Sequence, residues 1–199
     1  PVLDGSQRTY TNFDNAATTP SLWDVVETLD LFLPWYSSIH RGTGFKSAVS
    51  TQGYDESREV VGRFFGADLS THVVIFTKNT TEAVNKAARR MSLTKDDVVL
   101  VSAMEHHSND LPWRAQAQVI HIGVDRYGAL DLADTERLFD LHRDHIKLLA
   151  ITGASNVSGA INPIHDLAQL AHRYGASILV DAAQLAPHRA IEMGQTADP

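Results

Sequence analysis

The feature that most constrains this chain is a repeated switch of hydrophobic period. Short runs of β-branched and aliphatic residues give way to stretches with apolar residues three and four apart, and then return. HVVIFT (72–77), DVVLVS (97–102), residues 119–123, IKLLAIT (146–152) and SILVD (177–181) read as strands. Helices are predicted over 80–91, 132–142 and 162–174, with a short one near 109–116. Strands that are apolar throughout and alternate with helices of this length imply a mainly parallel α/β sheet with helices on both faces. The helix over 162–174 has clear punctuation: Asn162 as cap, Pro163 at the first position, a stripe of Ile164, Leu167, Leu170 and Ala171, and Gly175 at the close. Two helices precede the alternation. One covers 21–33, with Leu22, Val25, Val26, Leu29, Phe32 and Leu33 at helical spacing, Ser21 as cap and Pro34 as stop. The other covers about 50–65, with Val60, Val61, Phe64 and Phe65 toward the core. Residues 1–20 read as an N-terminal arm and residues 21–199 as one large domain, with no internal repeat.

Composition narrows the possible roles. Seventeen Lys and Arg against 24 Asp and Glu leave a net charge of −7, the wrong sign for a general nucleic-acid or anionic-membrane binder. No apolar run approaches the roughly 20 residues that span a bilayer, and PVLDGSQRTY lacks a signal-peptide pattern. Cysteine is absent, so the chain holds no disulfide, Cys-based metal site or thiol nucleophile. This composition fits a cytoplasmic location.

In parallel α/β sheets ligands gather at the carboxyl ends of the strands. After HVVIFT comes Lys78-Asn79-Thr80-Thr81-Glu82-Ala83, which reads either as an anion cradle at a helix start or as a capping box. No Walker loop and no G-x-G-x-x-G is present, which disfavours a nicotinamide-binding Rossmann domain. After DVVLVS comes Glu105-His106-His107-Ser108-Asn109. Adjacent histidines point apart and make a poor chelate, so a ring stacked on a planar cofactor competes with a polar loop. His142 and His145 read as surface residues, and no metal is predicted. After IKLLAIT, the small residues Gly153, Ala154 and Ser155 allow a ligand close to the backbone and Asn156 offers an amide; a plain turn is the alternative. Asp181 ends an apolar strand, where a carboxylate needs a partner such as a protonated pyridine nitrogen or the start of the next helix. Together these form an anion cradle, a stacking ring, an amide and a buried carboxylate, a set that suits a phosphorylated pyridine cofactor.

At these residues the chain resembles the class V aminotransferase family of pyridoxal-phosphate enzymes, in its cysteine desulfurase and selenocysteine lyase branch. Phe13-Asp14-Asn15-Ala16-Ala17-Thr18-Thr19-Pro20 resembles the family's "LDNAATTP", and His40-Arg41-Gly42 its "HRG". Thr80-Thr81-Glu82-Ala83 with Asn85 is similar to "GTTEAIN", and Glu105 to Asn109 with Pro112-Trp113 to "EHHSN…PW". Ser155-Asn156-Val157-Ser158-Gly159 resembles "SNVLG", and Val180-Asp181-Ala182-Ala183-Gln184 matches "VDAAQ".

The resemblance implies the pyridoxal-phosphate-dependent transferase fold of type I: a mainly parallel, seven-stranded type of sheet with helices on both faces, here the incomplete large domain. It implies pyridoxal 5'-phosphate as cofactor. Thr80 and Thr81 would hold its phosphate, His106 would stack on the ring, and Asp181 would pair with the ring N–H. Gln184 would bond the phenolic oxygen, with Asn156 near the same edge; His106 and Asp181 would be the catalytic pair. The implied substrate is a small molecule, an amino acid, with cysteine desulfuration or selenocysteine cleavage first and another class V reaction, epimerisation or transamination, as the alternative. A homodimer and, for a desulfurase, a sulfur acceptor are the implied partners, with no nucleic acid and no membrane.

Two positions depart from the pattern. Asn79 stands for the family's glycine, and Thr43-Gly44 stands where many desulfurases carry a second histidine. The family's cofactor-linking lysine lies in an "SGHK"-like segment after "VDAAQ", and no such segment occurs in these 199 residues. Lys46, Lys78, Lys86, Lys95 and Lys147 lack that context, so the chain is expected to be truncated before the lysine and inactive by itself. A non-catalytic fragment of such an enzyme is the reading from another class.

Overall fold

A computed structural model describes residues 2–193, so the outermost ends of the expected arm and domain lie outside the described residues. The chain divides into two compact units, Pro1–Asp55 and Glu56–Pro199.

The first unit holds α1 (Trp23–Phe32) and a 3-10 turn, Leu33–Trp35. Leu22, not Ser21, occupies the cap position, and no side chain caps the helix. Pro34 does not stop the chain's winding: it sits in the first turn of the 3-10 segment, where its missing N–H costs nothing. The next helix, α2 (Phe45–Phe64), begins five residues earlier than the sequence pattern suggests. Val61 and Phe65 are half-buried, but Val60 and Phe64 remain 56% and 60% exposed. One step of a helix turns about 100°, so the positions directly before Val61 and Phe65 face away from what those two cover.

The second unit is built on four parallel strands: β1 (Val98–Ser102), β2 (Gln118–Ile122), β3 (Ile146–Thr152) and β4 (Ser177–Asp181). Their order is β2-β1-β3-β4. Besides the last part of α2, the helices of this unit among the described residues are α3 (Thr80–Arg90), α4 (Leu111–Arg114), α5 (Leu132–Leu141) and α6 (Ile164–Arg173). Alternation along β1 divides the core into two layers. Val98 and Leu100 pack with Leu138, Phe139, Leu167 and Leu170 of α5 and α6. Val99 and Val101 pack with Val84 and Ala88 of α3 and Trp113 of α4. A register shift between Val98 and Val99 leaves Lys147 of β3 exposed while Ile146 and Leu149 share one layer.

The expected strand at 72–77 is absent. The segment joins no ladder, and Val73 and Ile75 are 82% and 71% exposed. β-propensity marks a segment that suits a pleated surface, but a strand exists only where a neighbour takes its backbone N–H and C=O groups. No strand among the described residues does so.

Two expected caps also differ. Asn79 caps α3 by accepting from Glu82 N at 2.9 Å, and Glu82 Oε2 accepts from Lys78 N at 2.8 Å, a reciprocal box one residue ahead of Thr80. Asn79 has φ −168°, which is extended backbone, so its tolerance of left-handed geometry is not used. Pro163 is the cap residue of α6 and makes no side-chain bond. Asn162 is buried and donates from Nδ2 to the Thr152 carbonyl at 2.8 Å.

Candidate functional site

The parallel registers pair Ser102 with Ile122 and Thr152 with Asp181, so all four strands end on one rim. The predicted site residues are distributed along it.

Thr80 and Thr81 open α3, an eleven-residue helix. Among the described residues no protein group takes the amide N–H or hydroxyl of either one. The Asn79–Glu82 pair takes the amides of Glu82 and Lys78 and leaves these donors free. The positive end of the helix macrodipole adds to their attraction for an anion.

Asp181 ends β4 and is buried. Its Oδ1 accepts from Ala183 N at 3.0 Å, and no protein donor among the described residues reaches Oδ2. A buried carboxylate oxygen without a donor is costly, which makes it a natural acceptor for a ligand N–H. A cavity of about 560 Å³ brings Thr80 and Asp181 together, lined also by Thr77, Ala83 and Ala182. That size suits a small cofactor.

His106 is exposed at the start of a 3-10 turn, His107–Asn109. Its Nδ1 lies 2.8 Å from Ser108 Oγ and accepts from Ser108 N at 3.2 Å. A backbone N–H can only donate, so the neutral ring making this bond carries its hydrogen on Nε2. His106 and Thr81 line a second cavity of about 470 Å³. Asn156 is exposed in the turn after β3, and Gln184 is half-buried after β4; neither lines these two cavities. No lysine among the described residues lines either one. Lys86 pairs with Glu82 at 3.1 Å, and Lys95 Nζ caps the carbonyls of Arg114 and Ala115.

Gly153 has a different use from the one its size suggests. A Cβ there would stand 2.7 Å from Leu185 Cδ2, so the missing side chain admits Leu185, which closes over the end of β3. The close approach is made by the protein's own residue.

Glu105 received no role from the sequence beyond its place in the motif that His106 shares. Its carboxylate accepts from Ser102 Oγ, from Asn109 Nδ2 at 2.8 Å and from Thr152 N at 2.7 Å. Burial pushes its pKa up to about 7, against the opposing pull of these three donors. The folded state therefore keeps a proton that the unfolded chain releases above its ordinary value of 4.5. The resulting stabilisation, on the order of 3 kcal/mol, is complete below that value and lost as pH rises through the folded value. The melting temperature should fall as pH rises from about 5 to 8. Calorimetry checks this, and a rise across the window contradicts it. The signal in the sequence was an acid directly after an apolar strand; nothing local reported what would bury it.

The donors at the start of α3 and the free oxygen of Asp181 stand on the strand-end rim of an α/β domain with a parallel sheet. The sequence profile described as Aminotransferase class-V matches residues 11–197, and the chain belongs to that family. It is 38% identical to a probable cysteine desulfurase of Halalkalibacterium halodurans over 97% of this chain and 49% of that one. It is 34% identical to a cysteine desulfurase of Haloferax volcanii, over 90% of this chain and 44% of that one. The apo structure of the cysteine desulfurase from Thermococcus onnurineus superposes with a TM-score of 0.81 at 35% identity, covering 90% of this chain and 45% of that one. The chain thus spans about half the length of these relatives. The described part contains four strands of the seven-stranded type of sheet that the resemblance implies.

Proposed function

We propose that this chain forms the cofactor-binding part of a pyridoxal-phosphate enzyme that acts on an amino acid, with removal of sulfur from cysteine as its reaction. The observation that carries the proposal is the cavity whose lining includes both Thr80, with unengaged donors, and Asp181, with an unengaged oxygen. A phosphate and a pyridine N–H are the complementary groups. Bound there, pyridoxal phosphate supplies an electron sink for charge developing at the substrate α-carbon.

The chain's own residues hold and orient it. Thr80 and Thr81 donate to the phosphate from amides and hydroxyls. Asp181 Oδ2 accepts the ring N–H and keeps that proton in place. His106 offers its ring face for stacking, with its Nε2–H available as a proton donor. Gln184 and Asn156 serve the phenolic edge. Desulfuration is preferred because the relatives at 34–38% identity are named cysteine desulfurases.

The active form is a homodimer in the cytoplasm, with a thiol as sulfur acceptor. Helix α1 supports the dimer: it buries none of its ten residues, although they include Trp23, Val25 and Leu29. No helix among the described residues is long and apolar enough to cross a membrane.

Borohydride treatment tests the proposal. The 199-residue chain mixed with pyridoxal phosphate should yield no single lysine labelled stoichiometrically by mass spectrometry. A longer protein carrying this chain should yield one and should release sulfide from L-cysteine with a thiol reductant. Failure of that longer protein to bind the cofactor contradicts the proposal.

A further inference from the structure

We propose that Glu105 is a positioning residue of the cofactor site: it ties the ends of β1 and β3 to the turn that carries His106 and thereby fixes the plane and tautomer of the His106 ring. The inference rests on the pyridoxal-phosphate reading and adds a residue to which no role is assigned above.

Three elements converge on one side chain. Ser102 is the last residue of β1, Thr152 the last of β3, and Asn109 the last of the 3-10 turn. Each donates to the Glu105 carboxylate. Asn109 is fully buried, and its Oδ1 receives the Trp113 Nε1 hydrogen at 3.2 Å. The amide is thereby held in one orientation, with Nδ2 toward Glu105. The other two residues of the turn are His107 and Ser108, and Ser108 holds His106 Nδ1 through both its amide and its hydroxyl. The His106 ring is therefore anchored to Ser108, the turn to Glu105, and Glu105 to the sheet.

The chemistry at this point calls for a carboxyl group. Oε1 faces two donors, Ser102 Oγ and the Thr152 amide, and Oε2 faces the Asn109 amide. Glutamine would turn its NH₂ toward one of these donors, and aspartate is too short to reach all three. The backbone donor at Thr152 cannot reorient, and the Asn109 amide cannot flip without leaving the Trp113 N–H unpaired. Asp181, paired with Thr152 across the ladder, is the other carboxylate that acts on Glu105 electrostatically. Glu105 is thus linked through Thr152 to the strand pair that ends at Asp181 and, through its turn, to His106.

The test is nitrogen-detected NMR of the His106 ring, with cofactor affinity read by fluorescence. The wild-type chain should show His106 as one tautomer with hydrogen on Nε2. E105Q should mix the tautomers and weaken pyridoxal phosphate binding about tenfold, the effect of disturbing one hydrogen bond. Should E105Q fail to fold, S102A decides the matter, because it removes one donor and leaves no buried charge unpaired. It should shift the ring signals in the same direction by a smaller amount. A residue that only stabilises the fold would lower the melting temperature and leave the His106 tautomer of the folded molecules unchanged. That result, with cofactor affinity unchanged, overturns the proposal. If the wild-type chain binds no cofactor while the ring signals still respond, the cofactor reading fails and the positioning of His106 stands.

Discussion

Asp181→Asn weakens pyridoxal phosphate binding by about 10- to 150-fold, the factor that corresponds to roughly 1.5–3 kcal/mol for a hydrogen bond to a charged group. The substitution is nearly isosteric. Its side-chain oxygen still accepts from Ala183 N, so the turn after β4 keeps its local bond. What disappears is the negative charge at the Oδ2 position, which no donor among the described residues reaches. Without cofactor the variant should therefore be at least as stable as wild type, because burying an amide costs less than burying a carboxylate. Loss of affinity with retained stability separates a ligand role from a structural one. Unchanged affinity, measured by fluorescence titration, would show that Asp181 does not hold the ring.

Trp113→Ala should destabilise the second unit by about 3–5 kcal/mol. Trp113 is fully buried between α3 and the sheet, in the layer with Val84, Ala88, Val99, Val101, Leu148 and Ala150. Its removal opens a large cavity and leaves Asn109 Oδ1 without its donor. Because a domain of ordinary stability holds about 5–15 kcal/mol, the loss takes a large share of the total. Trp113→Phe refills most of the volume and restores no N–H, so it should cost about 1–2 kcal/mol and isolate the hydrogen bond. Val73→Ala is the control: at 82% exposure in the unpaired segment 72–77 it should change stability by less than about 0.5 kcal/mol. Urea denaturation measures all three. A loss of under about 1 kcal/mol for Trp113→Ala would contradict the packing described.

The two results bear on different parts of what the sequence displays. Strands β1 to β4 were legible because each is a short run rich in β-branched and aliphatic residues, and the central pair, β1 and β3, is buried almost throughout. Helices α3, α5 and α6 were legible from their stripes. Segment 72–77 has the same local signature and pairs with nothing among the described residues, because pairing depends on a distant partner that periodicity does not reveal. The caps were misplaced for a related reason. Asn162 looks like a cap beside Pro163, but a carbonyl ten residues earlier in sequence takes its side chain.

The site divides in the same way. Thr80, Thr81, His106 and Asp181 could be read because each follows a strand and matches a motif. Which of them share a cavity could not: Thr80 lies with Asp181, and Thr81 with His106. Glu105 was hidden because its importance comes from three donors on three elements, and only the folded chain brings them together.

Amide NMR of the labelled 199-residue chain, as pyridoxal phosphate is added, tests most directly whether the rim at the carboxyl ends of the strands, from the start of α3 to Asp181, holds the cofactor. Saturable shifts are expected at Thr80, Thr81, Asp181 and Ala183, together with changes at the His106 ring. Shifts confined to other surfaces, or none at saturating cofactor, would contradict binding at this rim.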